Sequence, residues 1–473
     1  MTARARPRML SGGCKRCIVL LVAVGVALPA ANAAAGVLTL TPSLTLGEIY
    51  TDNLFLVPSD KTDAFVTEIE PGFDLDYEAP RLKGKIDYKL QGLIYAGHSD
   101  MNHAYNQLDA NGTIELIEDT LFMDGTTIYD HQVIDPQKVG GRENLFGGNN
   151  RTGVSATTLS PYLMHDFGGF GIATLRYAYG RDIYSSDIPN VTSNTLSFDL
   201  ARQPTYGSLT YDLHYLHQRL NPDQGRDLSF ESAGLGLQYY LTTRTSLLAN
   251  VGKENNFLPD GTVDRLGSDF WSVGVRWASF QNQLKILYGH RFFGKSYEFD
   301  WQHDGADYHT NVSYREEPTD YNRLLLQRSP STLIESQLPT DVLPSLRNRQ
   351  VFLMKRASVA MGWDLSNSKI QLNLYDERRN YIRLHERDRV EGGQFSWNFA
   401  LDRSNSIVPS YGYQRYLFRD GDINYYYRSQ ISWQHTINTN LTFDVALRNE
   451  RRNATRGASY RVNTALLEVT KLF

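Results

Sequence analysis

The chain has 473 residues, of which 41% are hydrophobic and 21% are charged, and its formal net charge is −4 at pH 7. A sequence this apolar is not a disordered chain, and a mean hydropathy of −0.41 is not that of a protein that crosses a membrane with helices. The slight acidity also argues against nucleic acid as a partner, because nucleic-acid-binding proteins are expected to be basic.

The N-terminal segment has the composition of a cleaved signal peptide. Five basic residues without an acid begin the chain, an apolar run covers Ile18–Leu28, and Ala31-Asn32-Ala33 supplies the small residues of a signal-peptidase site. The apolar run is too short to span a bilayer. Cleavage after Ala33 removes both cysteines and the five basic residues, which takes the net charge from −4 to −9. We therefore expect residues 1–33 to direct export and residues 34–473 to form the mature protein.

Two neighbouring segments show strict alternation of apolar and polar residues. Between Phe65 and Tyr77 the odd positions are mostly apolar and the even positions mostly acidic, and a second alternating segment starts at Leu82. This pattern predicts a β-hairpin in which Tyr77 opposes Leu82. In that register, charged residues pair on the polar face, which we expect to line a lumen: Asp76 with Lys83, Asp74 with Lys85, and Glu70 with Lys89.

The same alternation recurs along the whole mature chain, in about 22 segments. The connections between them are alternately short and long, which is typical of bacterial outer-membrane barrels, whose periplasmic turns are short and whose extracellular loops are longer. The sequence therefore predicts an all-β fold, a transmembrane antiparallel up-and-down β-barrel of about 22 strands, with 18–20 strands as the alternative.

One long segment, residues 317–349, lacks the alternation. It holds nine aliphatic residues and four prolines, so it is neither a strand nor one long helix. Parity places both of its ends on the extracellular side. We hypothesise that this segment folds inward and constricts or plugs the channel. The alternative is an external cap or a site for a partner.

Arginines collect at the extracellular ends of two predicted strands. A guanidinium suits the phosphates of lipopolysaccharide or an acidic polysaccharide, so these residues are candidate contacts, although a solvated loop is the alternative. The candidates are Arg378, Arg379, Arg448, Arg451, Arg452 and Arg456.

The C-terminus ends in an apolar face that finishes at Phe473. This ending resembles the signal that the barrel-assembly machinery of Gram-negative outer membranes recognises. We therefore expect Phe473 to act as an assembly signal and that machinery to be a partner.

Four short motifs resemble those of the outer-membrane β-barrels associated with PEP-CTERM/exosortase systems, which are related to β-barrel porins. They are Thr51-Asp52-Asn53-Leu54-Phe55-Leu56, Ile69-Glu70-Pro71-Gly72-Phe73, Tyr288-Gly289-His290-Arg291-Phe292-Phe293-Gly294 and Arg378-Arg379-Asn380-Tyr381. The resemblance covers the mature chain and implies a setting among genes for exopolysaccharide production and protein sorting. It supplies no active site.

The sequence offers no catalytic motif, because neither G-x-S-x-G nor H-E-x-x-H occurs. We expect a non-enzymatic protein without a cofactor or a metal. The favoured function is an outer-membrane pore linked to exopolysaccharide secretion. The alternatives are a general diffusion porin and a structural or anchoring barrel without an open pore. The expected partners are outer-membrane lipids and lipopolysaccharide, with polysaccharide and export-system proteins as further candidates.

Overall fold

A computed structural model describes most of the mature chain. The described residues are 36–141, 143–146, 148, 150–202, 209–257, 265–326, 351–381 and 386–473. The predicted leader, 1–33, lies outside them. Within these ranges the chain forms one sheet of 22 strands. The first strand pairs with the last, Ser43 opposite Leu472 through to Thr51 opposite Thr464, so the sheet closes into a barrel. The predicted fold is confirmed.

Every strand is antiparallel to its neighbours. The strand bounds are β1 Val37–Thr51, β2 Ala64–Ala79, β3 Leu82–Tyr95, β4 His103–Ile117, β5 Leu121–Val133, β6 Arg151–Asp166, β7 Ile172–Tyr184, β8 Val191–Ala201, β9 Leu209–Pro222, β10 Leu228–Tyr240, β11 Thr245–Phe257, β12 Arg265–Ala278, β13 Asn282–Arg291, β14 Gly294–Asp304, β15 Tyr308–Thr319, β16 Phe352–Leu365, β17 Ser368–Tyr381, β18 Glu386–Ala400, β19 Asn405–Leu417, β20 Ile423–Asn438, β21 Leu441–Ala454 and β22 Tyr460–Leu472. A short α-helix, α1, covers Tyr321–Leu326, and 3-10 turns cover Ser99–Met101 and Gly168–Phe170. None of the helices in the described ranges is long and apolar enough to cross a bilayer.

The alternation along each strand separates an outer apolar face from an inner polar face. On β2, Phe65 is 53% exposed on the outside, whereas its neighbour Val66 is fully buried on the inside. Farther along, Ile69 is exposed on the outside and Glu68 is buried on the inside. Since successive side chains of a strand point to opposite faces, one strand supplies both surfaces of a lipid-spanning wall.

The two ends of the barrel differ in their connections. At one end the turns are short, as at Pro80-Arg81 between β2 and β3. At the other end lie the longer loops, including residues 134–150 between β5 and β6 and residues 320–351 between β15 and β16. We call these the short-turn end and the long-loop end. By the usual arrangement of outer-membrane barrels, the long-loop end is extracellular.

The predicted register of the β2–β3 hairpin is wrong by two residues. Both strands continue farther toward the turn, and Ala79 opposes Leu82, so the connection is the two-residue turn Pro80-Arg81 rather than a four-residue one. A shift of two leaves every side chain on its predicted face.

The predicted charge pairs therefore change partners, while all six residues stay on the inner face. Asp76 opposes Lys85, and Lys83 opposes Glu78 at 3.1 Å. Asp74 opposes Asp87, and Lys89 opposes Gly72. None of the three predicted pairs forms: Asp76 with Lys83, Asp74 with Lys85, or Glu70 with Lys89.

Buried apolar side chains of the described residues form five clusters, all at the long-loop end. The largest joins the top of β1–β3 to the start of β22 and includes loop residues such as Leu54 and Phe146. Because a barrel wall has no second layer to pack against, these clusters exist only where loops fold over the inner face. The packed core of this protein is therefore at its mouth.

Candidate functional site at the mouth of the barrel

The loop between β5 and β6 lies inside the lumen. We call residues 134–150 the inner loop; Arg142, Gly147 and Asn149 fall outside the described residues. Its side chains and carbonyls contact the inner faces of β3, β20 and β21. Those strands are not neighbours of β5 or β6 in the sheet, so the loop meets them by crossing the lumen.

Two residues fix the inner loop where it leaves β5 and joins β6. The Asn150 side chain accepts from the amide of Asp135 at 3.0 Å and donates to the carbonyl of Asp135 at 2.8 Å. The Arg151 guanidinium donates to the carbonyls of Gly141 and His131 at 2.6 and 2.8 Å. These contacts satisfy backbone groups of Asp135 and Gly141 in the loop and of His131 in β5, and they fix the direction in which the loop leaves the wall.

Glu143 is the electrostatic anchor of the inner loop. Its Oε1 accepts from Arg428 on β20 at 2.6 Å and also from Arg448 on β21. Arg428 is almost completely buried and also pairs with Glu450 at 3.4 Å. Burial alone would raise the pKa of Glu143, but the two guanidinium groups outweigh it and hold the pKa below its ordinary value. The carboxylate therefore stays charged at neutral pH.

A second anchor uses the loop backbone. Arg452, which is fully buried on β21, donates to the carbonyl of Gln137 at 2.6 Å and to Tyr426 Oη at 3.0 Å. Tyr426 Oη in turn donates to the carbonyl of Pro136 at 3.2 Å, and the Asn424 side chain donates to the same carbonyl at 3.1 Å. Proline has no backbone N–H, so the carbonyl is the only polar group of Pro136, and it accepts both hydrogen bonds.

The tip of the inner loop is apolar and packs against β2, β3 and β22. Leu145 and Phe146 are 3% and 2% exposed, within the cluster that contains Val66 and Val462. Tyr95 Oη donates to the carbonyl of Leu145 at 2.8 Å. Burial of two such side chains stabilises the docked loop by about 3–6 kcal/mol before entropy is counted.

The segment after β15 also turns into the mouth. Tyr321, at the start of α1, packs against Ile134 of the inner loop and against Tyr184 of β7. The Arg323 guanidinium lies 4.6 Å from the ring of Phe230 on β10. Residues 317–319 are the end of β15, so the segment without a strand begins later than predicted, and its first described residues, which include α1, face inward. Residues 327–350 lie outside the described residues, so the predicted plug itself stays a prediction.

Below the inner loop, acidic residues line part of the lumen. Asp74, Asp87 and Asp109 oppose one another across β2, β3 and β4, and we call them the acidic line. Asp444 faces Glu468 across β21 and β22 on the same inner face. A wall that carries one sign of charge raises the local concentration of the opposite ion.

This geometry makes a constriction. The inner loop and α1 between them contact inner-wall residues of β2–β3, β7, β10 and β20–β22, so they cross the mouth from several sides. The described residues hold no group of three or more side chains arranged to bind a metal ion. The lining of the mouth presents charged and apolar side chains.

The predicted arginine contacts fall into two groups. Arg379, Arg448 and Arg452 point into the lumen and are 3% exposed, largely buried and fully buried respectively. Arg379 pairs with Glu377 at 2.5 Å, and the other two hold the inner loop. The alternation of β17 and β21 turns these three side chains inward, away from the lipopolysaccharide around the barrel, and their contact with a polysaccharide stays a prediction.

The other three predicted arginines remain at the surface. Arg378 and Arg451 are exposed on the outer faces of β17 and β21, and Arg456 is exposed in the loop before β22. Arg378 lies 3.6 Å from Asp376, and Arg456 lies 3.8 Å from Asp420. Their contact with lipopolysaccharide stays a prediction.

Comparisons with known proteins bear on the fold. No protein-family model and no curated protein sequence matches the chain. The barrel is similar to a mutant form of the ferric enterobactin receptor PfeA from Pseudomonas aeruginosa (TM-score 0.52, 9% identity, 92% of this chain and 80% of that one). It is also similar to the FrpB iron transporter from Neisseria meningitidis (TM-score 0.55, 8% identity, 92% and 82%).

This chain has the fold of an outer-membrane β-barrel. At 8–9% identity the likeness shows the fold alone. Roughly a fifth of each neighbour's chain has no counterpart in this protein, since 80–82% of their length is covered.

Proposed function

We propose that this protein is an outer-membrane pore whose extracellular mouth is narrowed by the inner loop. The observation that carries the proposal is the bond from Glu143, inside the lumen, to Arg428 and Arg448 on the far wall. A loop that served only to join β5 to β6 would need neither a buried carboxylate nor two arginines to receive it. Charged groups buried in this way are kept when they fix one arrangement of a segment.

The acidic line favours solutes that are neutral or positively charged. Three opposed aspartates below the constriction repel anions, while Lys85 and Lys89 on β3 offset only part of that charge. A neutral or amino-bearing polysaccharide would meet this wall more easily than a strongly acidic one.

We infer that the transported material belongs to exopolysaccharide secretion. This finer assignment rests on the resemblance to PEP-CTERM/exosortase-associated barrels, with the absence of catalytic motifs as support. A deletion strain should lose secreted polysaccharide and recover it with the wild-type gene. Unchanged polysaccharide together with reduced uptake of small solutes would favour a general diffusion porin instead.

Planar-bilayer conductance tests the pore itself. Residues 136–149 are replaced by a short Gly-Ser linker, and the matched control carries the same linker inserted after Gln224 in the exposed β9–β10 loop. The first variant should give a several-fold larger single-channel conductance, and the control should match the wild type. No conductance from any of the three folded proteins would contradict the pore and favour a structural or anchoring barrel.

A second candidate function is passage of a ferric siderophore. The observation in its favour is a 22-stranded barrel that matches a ferric enterobactin receptor over 92% of this chain. A deletion strain grown in iron-poor medium with ferric enterobactin as the iron source separates the two candidates. Slow growth there with normal polysaccharide secretion would favour the siderophore.

Two further proposals concern delivery to the membrane. The leader 1–33 should be cleaved, so N-terminal sequencing of the mature protein should begin at Ala34. Phe473 ends the outer apolar face of β22 and is 66% exposed, and its amide donates to the carbonyl of Pro42 on β1 at 2.9 Å. Its deletion should lower the yield of assembled barrel without changing the conductance of the molecules that do assemble.

A further inference from the structure

The outer surface of the barrel carries an apolar groove where β17, β18 and β19 meet. Its volume is about 350 Å³. The cause is Gly393, which occupies an outward position on β18 between Leu374 of β17 and Tyr413 of β19. Glycine adds no side chain there, and the Leu374 side chain leans over the position, with its Cδ2 2.6 Å from where a Cβ would be. Phe395 and Tyr411 continue the groove toward the short-turn end.

A set of charged residues borders the groove on its extracellular side. The next outward position toward the long-loop end is charged on each of the three strands. The residues there are Asp376 on β17, Glu391 on β18 and Arg415 on β19, and they oppose one another. We call the outward charged side chains of this region the charge belt: Asp376, Arg378, Arg387, Arg389, Glu391 and Arg415.

The charge belt is organised and has an excess of positive charge. Arg389 lies 2.8 Å from Asp376 and 2.9 Å from Glu391, and Arg415 lies 3.0 Å from Glu391. Three guanidinium groups, those of Arg378, Arg389 and Arg415, thus share two carboxylates, and Arg387 donates to the Asn380 side chain at 2.9 Å. An anion placed beside Arg389 and Arg415 would meet donors that the two acids do not saturate.

The position of the groove selects the ligand. On β17 the outward residues Leu372 and Leu374 are apolar and the next one, Asp376, is charged, so the lipid-facing band ends at the charge belt. The groove therefore opens into the extracellular leaflet, with the cations at the height of the headgroups. An occupant must combine acyl chains below with phosphate above.

We propose that the groove and the charge belt bind one lipid A molecule of lipopolysaccharide. One acyl chain lies in the groove beside Gly393, and a glucosamine phosphate is held by Arg389 and Arg415. Arginine is suited to this role because its planar fork donates two hydrogen bonds to one phosphate. The site is separate from the constriction, since its side chains face lipid rather than the lumen.

Native mass spectrometry of the barrel released from micelles tests the site. The probes are hexa-acylated bis-phosphorylated lipid A, the same lipid without phosphates, and phosphatidylglycerol. Wild-type protein should retain one bis-phosphorylated lipid A. The double variant Arg389→Gln/Arg415→Gln should bind it about tenfold more weakly, as expected for loss of charge-assisted hydrogen bonds.

Two more variants complete the test. Gly393→Leu adds a side chain that displaces Leu374 and narrows the groove, so it should also weaken retention while leaving the charge belt intact. Arg276→Gln removes an arginine on the inner face of β12 and should behave as wild type. Heat-resistant mobility on gels confirms that each variant is folded. Equal retention of phosphate-free lipid A or of phosphatidylglycerol would overturn the proposal, as would wild-type retention by the double variant or by Gly393→Leu.

Discussion

Charged side chains have opposite environments at the two ends of the lumen. At the long-loop end, charged side chains such as Arg428 and Arg452 are buried, paired and covered by loops. At the short-turn end, charged pairs such as Lys83 with Glu78 are 68% and 73% exposed and face only water. The same strands run through both ends, so the difference comes from the loops. In this fold, loops supply the second layer that a barrel wall lacks.

The largest expected effect comes from breaking a buried pair at the mouth. Arg379→Met should lower the free energy of unfolding by about 3 kcal/mol, because it leaves Glu377 buried with less compensation. The neighbouring Arg378→Met, on the outer face, should cost under about 1 kcal/mol. Urea unfolding in phosphatidylcholine vesicles, followed by tryptophan fluorescence, measures both. Equal losses would contradict the assignment of the two arginines to opposite faces.

Removal of the loop anchor should act on both stability and conductance. Glu143→Ala deletes charge-assisted hydrogen bonds to Arg428 and Arg448 and should destabilise the docked loop by about 2 kcal/mol. Single-channel conductance should rise, with frequent transitions between two levels. The control is Glu118→Ala, which removes an acid paired with Arg81 at 2.5 Å at the short-turn end. An unchanged trace for Glu143→Ala would show that the anchor does not hold the constriction.

Low pH should have the same effect on conductance as Glu143→Ala. The pKa of Glu143 is lower in the folded protein than in the unfolded chain. The stability that its ion pairs give the docked loop is therefore fully present at pH values above the ordinary pKa of glutamate. That contribution is lost as the pH falls through the lowered value. Conductance should therefore rise as the pH falls through that lowered value. Glu143→Gln should show no acid-dependent step, and a step that persists in this variant would assign the effect to other carboxylates.

The acidic line should affect selectivity more than stability. The triple variant Asp74→Asn, Asp87→Asn and Asp109→Asn removes three like charges that face one another across β2–β4. The cation-to-anion permeability ratio, obtained from the reversal potential in a salt gradient, should fall by about twofold or more. Unfolding free energy should stay the same or increase slightly. An unchanged ratio would mean that the solute path avoids this wall.

The smallest effect tests the register of the first hairpin. Asp76→Lys places like charges opposite Lys85 and should cost up to about 1 kcal/mol. Adding Lys85→Asp should recover the lost unfolding free energy, whereas adding Lys83→Asp should recover less of it. Rescue by residue 83 alone would instead support the register in which Tyr77 opposes Leu82. Urea unfolding measures all the variants.

Local pattern was enough to predict the strands and their faces. Alternation on β2 and β3 assigned Asp74, Asp76 and Lys85 to the inner face, and the structure agrees. It did not give the register, because a shift of two residues preserves every face. The length of the turn decided the register, and Pro80-Arg81 is a shorter turn than the sequence suggested.

The constriction could not be predicted from local pattern, because its partners are far apart in sequence. The inner loop looked like an ordinary extracellular connection rich in Gly and Asn. One signal was present: Arg448, Glu450 and Arg452 occupy alternate positions of one strand, so they share a face. Three charges on an inner face need an acidic or polar partner inside the lumen, and Glu143 is one that the structure supplies.

The span of the Glu143 contacts has a consequence for the order of assembly. Its two arginines follow it by 285 and 305 residues, on strands that are among the last to be synthesised. The inner loop can therefore dock only after nearly the whole chain is in place and the seam between β1 and β22 can close. Until then the lumen has no constriction, and an incomplete barrel would leak. The contact of Glu143 with Arg428 and Arg448 is therefore a marker of a fully assembled barrel.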